Sequence, residues 1–230
     1  MTVRAVFVDA GNTIVGLDYA LIAERIGAEG HAVSATAVRV AEERARVRLD
    51  RHFADRSTEG PDVFQLYFRY LLEGLDIPWG EEAERMAGDL RTTEPFGLWS
   101  VAIPEAPAVL EGLRRQGLRL AVVSNSNGTV AEILHAVGLA PYFDAILDSA
   151  VVGFEKPDPR IFRHAADALG VRAEEAVHVG DLYSVDVLGA RSAGCRAILL
   201  DPAGAWPPTD CPKAADLAAA ARLIEAMASG

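Results

Sequence analysis

A chain of 230 residues, half of them hydrophobic, can fill one large domain or a core with an appendage, and no stretch is biased enough in composition to stay unfolded. A net charge of −11 argues against nucleic acid or an anionic membrane as partner. The two cysteines, Cys195 and Cys211, lack metal-ligand spacing and read as free thiols of a reducing compartment.

In chain order, the first element is the apolar run 3–8, which ends at Asp9. It is too short for a signal peptide or a membrane span, and no later segment does better, so a cytoplasmic location is the default. The next eighty residues carry no convincing strand. They read instead as helices at 19–26, 34–53, 61–75 and 81–90, and are placed as a helical insert over 16–95. Within it, Arg44, Arg46, Arg48 and Arg51 read as a solvated helix face, and Phe64, Tyr67, Phe68 and Leu71 as the core of the insert.

After Pro104 a regular alternation begins. Apolar runs at 118–123, 145–147, 176–179 and 196–200 lack polar alternation, as strands buried on both faces do. Helices over 105–116, 129–137, 159–169 and 184–193 separate them, each followed by glycine (Gly117, Gly138, Gly170, Gly194), and a last helix spans 214–227. The rhythm predicts an α/β fold with a doubly wound parallel sheet: a core of 1–15 and 96–230, interrupted by the helical insert.

Four short motifs fall at strand ends, where open parallel sheets bind ligands. Asp9-Ala10-Gly11-Asn12-Thr13 is, taken alone, turn chemistry. Ser124-Asn125-Ser126-Asn127-Gly128 reads as a helix cap, or as a hydroxyl and backbone N–H groups offered to phosphate. Glu155-Lys156-Pro157 carries one of only two lysines, against twenty arginines, which hints that a compact ammonium is required there. In His178-Val179-Gly180-Asp181-Leu182-Tyr183-Ser184-Val185-Asp186, two carboxylates five apart can converge on one cation, and His178 reads as a packing or hydrogen-bonded residue.

Together, the order Asp, Ser, Lys, Asp-x-x-x-x-Asp resembles the haloacid dehalogenase superfamily over the whole chain, with the insert in the position of a helical cap. The resemblance implies a Rossmann-like core of strand order 5-4-1-2-3 with Asp9 central. It implies Asp9 as nucleophile and Mg²⁺ held by Asp9, the Gly11 carbonyl and Asp181. Asp186 would be a further ligand or hold a metal-bound water. Ser124, Asn125 and Lys156 would bind the substrate, with Lys156 also pairing Asp9. The implied activity is that of a phosphatase acting on a small phosphate ester through an aspartyl-phosphate, in a monomer or homodimer.

The chain departs from this pattern at Gly11, where most phosphatases of the superfamily carry a second Asp, and at Asn12, where a glycine is usual. Glycine transfers no proton, so general acid–base help worth about 10²–10⁴-fold is missing. Phosphonatase chemistry needs a cap lysine, and none precedes Lys156. A 2-haloacid dehalogenase-like hydrolase is the alternative reading, and a non-catalytic protein that binds a phosphometabolite or a partner is another.

Overall fold

The computed structural model describes residues 2–54, 61–93 and 97–229. Two compact units emerge, residues 1–16 with 101–230, and residues 17–100. Part of the expected boundary, 94–96, lies outside the described residues.

After β1 (Ala5–Val8) the chain forms β2 (Val15–Leu17), and later β3 (Trp99–Ala102), which pairs with β2 in a small two-stranded sheet. Both strands escape the sequence reading because three or four residues are too few to show a period. The remaining strands are β4 (Arg119–Ser124), β5 (Ala145–Asp148), β6 (Ala176–Gly180), β7 (Arg196–Leu200) and β8 (Lys213–Ala214). With β1 they form one parallel sheet, ordered β5-β4-β1-β6-β7-β8. Its five main strands, read from β7, follow the expected 5-4-1-2-3 with β1 central. The two-residue β8 departs from that expectation by extending the β7 edge.

The helices of this unit are α5 (Ala106–Arg115), α6 (Val130–Ala136), α7 (Ser149–Val152), α8 (Pro159–Ala168), α9 (Leu188–Ala193) and α10 (Leu217–Ser229). Every residue of β1 is buried, as a central strand covered on both faces requires. Ala5 and Phe7 of β1, Ala121 and Val123 of β4 and Ala197 and Leu199 of β7 point to one face. There they pack with Ile161, Phe162 and Ala165 of α8 and with Ala190 of α9. Cys195 and Cys211 are free thiols buried in the same cluster, and burial pushes the Cys195 thiol up to about 12.

The second unit holds α1 (Tyr19–Ala28), α2 (Ala35–Phe53), α3 (Pro61–Glu73) and α4 (Glu81–Arg91). Asp18 caps α1 by accepting from the Leu21 amide, and Ser34 caps α2 by accepting from that of Ala37. Tyr67, Phe68 and Leu71 are buried here, as expected, and Phe64 is half-buried, stacked on Phe68. The arginines of α2 depart from a uniformly solvated face. Arg44, Arg48 and Arg51 are exposed, but Arg46 is buried with its Nε 2.9 Å from Glu42 Oε1. Glu42 also accepts from the hydroxyls of Tyr19 at 3.0 Å and Tyr67 at 2.5 Å. The reason is packing. α1 and α3 both lie against α2, which leaves it little free surface, so a long-range carboxylate–phenol network forms that helical spacing alone does not reveal. No described helix is long and apolar enough to cross a membrane.

Candidate active site

The site grows from the C-terminal ends of β1, β4 and β6. Register sets it, because Val8 lies beside Val122 of β4 and Val179 of β6, and the Asp9 amide donates to the Val179 carbonyl at 2.9 Å. Asp9 therefore emerges between the strand that ends at Ser124 and the strand followed by Asp181. All three residues are buried. Beyond Asp9 the backbone turns tightly, and the left-handed conformation falls on Asn12 (φ 56°) rather than on Gly11. Asparagine is among the few side chains that tolerate that region, which accounts for Asn12 in a place where glycine is usual.

Lys156 reaches this point from the loop after α7. Its side chain is only 2% exposed, and its Nζ lies 2.5 Å from Asp9 Oδ1 and 2.8 Å from Asp186 Oδ1. A buried ammonium survives because two carboxylates share it. Burial alone would lower its pKa, but Asp186 and Asp9 outweigh that and raise it above the usual lysine value. Burial pushes the Asp9 carboxyl above the ordinary carboxylate range, against the pull of Lys156 and with the help of the Asp186 charge. Burial also acts to raise Asp186. There the Lys156 ammonium and the His178 hydrogen bond win, and the carboxyl sits well below the usual range.

Asp186 occupies a different position from that of a freely offered ligand. Its Oδ1 accepts from Lys156 and faces His178 Nε2 at 2.9 Å, and its Oδ2 accepts from the Leu182 amide at 2.9 Å. The helix expected over 184–193 is divided here. Residues Tyr183–Val187 form a π-helical turn, in which the Leu182 carbonyl accepts from both Asp186 and Val187, and α9 follows. That wider turn folds the Asp186 side chain back over the end of β6. A Cβ on residue 180 would fall 2.3 Å from Asp186 Cγ, so only glycine fits. Gly189 has a similar role, since a Cβ there would lie 2.8 Å from the Pro157 Cα and would push α9 off the lysine loop. Gly180→Ala is expected to displace Asp186 and to cost about 1–3 kcal/mol of stability, as overpacking does. Urea unfolding measures the cost, and a wild-type midpoint would contradict the close approach.

Asn125, expected at the substrate, also clamps the lysine loop. Its Nδ2 donates to the Lys156 carbonyl at 2.8 Å, and its Oδ1 accepts from the Lys156 amide at 2.7 Å. Two of the N–H groups of this segment, those of Ser126 and Gly128, are engaged within the protein. Asp148, at the end of β5, accepts from Gly128 at 3.0 Å and from Val130 at 3.2 Å, and Ser149 Oγ accepts from Ser126 at 3.0 Å. Asp148 escapes sequence reasoning because a lone Asp after an apolar run carries no sign of which loop it will cap. Among the described residues, no group of three or more His, Cys, Asp or Glu side chains is placed to hold a metal ion.

A family model for haloacid dehalogenase-like hydrolases matches residues 3–194, which takes in every residue of this site. The chain belongs to that family. Among similar hydrolases, haloacid dehalogenase-like hydrolase domain-containing protein 3 of Bos taurus is 43% identical over 111 residues, 46% of this chain and 44% of that protein. A phosphoserine phosphatase of Thermus thermophilus is 50% identical over 99 residues, 43% of this chain and 40% of its own length. The chain thus spans less than half of either curated relative. Among solved structures, an L-2-haloacid dehalogenase is 24% identical with a TM-score of 0.66, and the match covers 98% of this chain and all of that one, a likeness of fold.

Proposed function

We propose that this hydrolase is a phosphatase of small phosphate esters, in which Asp9 is the nucleophile and the helical unit of residues 17–100 is an inserted cap domain. The observation that carries the reading is the buried Asp9 carboxylate gripped by Lys156, with Asp181 on the adjacent strand end. An Asp9 oxygen would bond to phosphorus as the ester P–O bond breaks, and the leaving oxygen would depart with the electron pair. Water would then attack the aspartyl-phosphate and release phosphate and the free carboxylate. Lys156 offsets the charge of Asp9 and of the phosphoryl oxygens, and Ser124 offers a hydroxyl to those oxygens.

Asp9, the Gly11 carbonyl and Asp181 are hard oxygen donors that follow neighbouring strands β1 and β6, donor chemistry that suits Mg²⁺. Asp186 fits that set poorly as a direct ligand, because both its oxygens already accept protein hydrogen bonds. When bound, the ion would add positive charge opposite the phosphoryl group. Mg²⁺ is expected to raise the melting temperature of the wild type and to leave Asp181→Ala unmoved. Melting curves of the wild type that ignore both Mg²⁺ and EDTA would sink the metal assignment.

Gly11 supplies no proton, so turnover should depend steeply on the leaving group. Aryl and acyl phosphates are expected to react far faster than alkyl phosphates, with a burst of product before the steady state. Because the left-handed backbone in this turn falls on Asn12, Gly11→Asp is expected to fold and to flatten that dependence. The test is a panel of phosphate esters with Mg²⁺, with one 2-haloacid included. Halide release without phosphate release would replace this reading by dehalogenation, and equal rates on alkyl and aryl esters without a burst would remove the role given to Gly11.

A further inference from the structure

His178 has no role in the chemistry above, yet it is fully buried on β6 and in direct contact with the site. Its Nε2 lies 2.9 Å from Asp186 Oδ1, the same oxygen that accepts from Lys156 at 2.8 Å. Lys156 in turn lies 2.5 Å from Asp9. The four side chains form one line, His178–Asp186–Lys156–Asp9, drawn from β6, the π-helical turn, the lysine loop and β1. The backbone leaves Asp186 little choice of place, since its carboxylate fills the space a side chain on residue 180 would occupy.

We propose that His178 is a positioning residue, whose Nε2–H holds Asp186 in the one orientation from which it can fix Lys156 against Asp9. An ionised carboxylate only accepts, so the proton of this contact must belong to the imidazole. The other ring nitrogen, Nδ1, is buried and has no hydrogen-bond partner. A proton there would be a buried donor with nothing to receive it, whereas a bare lone pair is the lesser loss. The ring packs edge-on against Phe162, with centroids 5.0 Å apart, a contact that favours one ring orientation. His178 therefore donates through Nε2–H to Asp186. A packing histidine would need neither a fixed tautomer nor a carboxylate.

The activity side of this proposal rests on the phosphatase reading, but its structural side does not. The chain has only two lysines, so ¹⁵N-lysine labelling yields two Nζ signals, and Lys213→Arg, outside the site, assigns them. The wild type is expected to show the Nε2–H tautomer by ¹⁵N NMR of His178, and a Lys156 Nζ signal protected from exchange. His178→Leu should shift that signal and speed its exchange. It should also lower kcat on an aryl phosphate by about 10–100-fold with little change in KM, the range shown by outer-shell partners of reactive groups. His178→Gln places an amide N–H near the same point and should restore most of both. If His178→Leu does not fold, the wild-type tautomer and the Gln variant still decide. A wild-type proton on Nδ1, or a Gln variant that folds but has lost the Lys156 protection, would overturn the proposal. Equal behaviour of folded Leu and Gln variants would do so too, by reducing His178 to packing. A wild type inactive on all phosphate esters would end the phosphatase reading, and the NMR results would still judge His178.

Discussion

Asp9→Asn is expected to lose hydrolysis by about 10⁴-fold or more while keeping the native fold, since loss of a nucleophile leaves only binding and residual polarisation. Asparagine keeps the shape of the side chain and an oxygen for Lys156, so the local packing survives. The charge is what disappears, and the sign of its effect on stability follows from the site. Burial raises the folded-state pKa of Asp9 above its ordinary 3.8. A group of that kind supports the fold below its unfolded pKa, and the support is lost as pH rises through the folded value. The stability of Asp9→Asn relative to wild type should thus improve as pH climbs above the ordinary carboxylate range. Steady-state rates on an aryl phosphate and urea melts at several pH values measure both effects. Turnover by Asp9→Asn at the wild-type rate would mean that another residue attacks.

Lys156→Met is expected to be the most damaging single change to the molecule. It leaves Asp9 and Asp186 buried side by side without their shared ammonium, and removing one partner of a buried ion pair costs about 3–5 kcal/mol. Activity should fall steeply, because the ammonium that helps offset the charge of Asp9 as it meets a phosphoryl anion is then gone. With the ammonium gone, both carboxyls should titrate upward, so the stability deficit should shrink as pH falls and they protonate. Adding Asp186→Asn should recover part of the loss at neutral pH. Lys156→Arg should not rescue, because a planar guanidinium is a poor substitute for a compact ammonium in a slot where the side chain is 2% exposed. Urea denaturation of the three variants at neutral and mildly acid pH provides the measurement. A neutral-pH midpoint near wild type for Lys156→Met would show that the carboxylates find another cation.

The parallel core could be read in the chain because its signals are local. A run such as Leu120-Ala121-Val122-Val123 is apolar without alternation, a strand covered on both faces needs that, and glycine follows each intervening helix. The lysine stood out for a chemical reason, as one of two in a chain that otherwise uses arginine, and the structure brings it to Asp9 across 147 positions. Other features were invisible for equally physical reasons. Strands as short as β8 carry no periodicity. The burial of Arg46 depends on two helices packed against α2, and the clamp of Asn125 on Lys156 depends on a loop 31 positions away.

By itself, then, the sequence determined the order of the five main core strands and the longer helices and the identity of the polar residues at the strand ends, because propensity, burial pattern and turn chemistry act over a few residues. Only the tertiary structure decided which of those residues hold one another. Asp186 grips Lys156, Asn125 holds the lysine backbone, Asp148 accepts from the Gly128 amide, and His178 faces Asp186. Such partnerships come from strand register and from a π-helical turn that folds one carboxylate back over a glycine. Their energies depend on distance and burial in space, and spacing along the chain records neither.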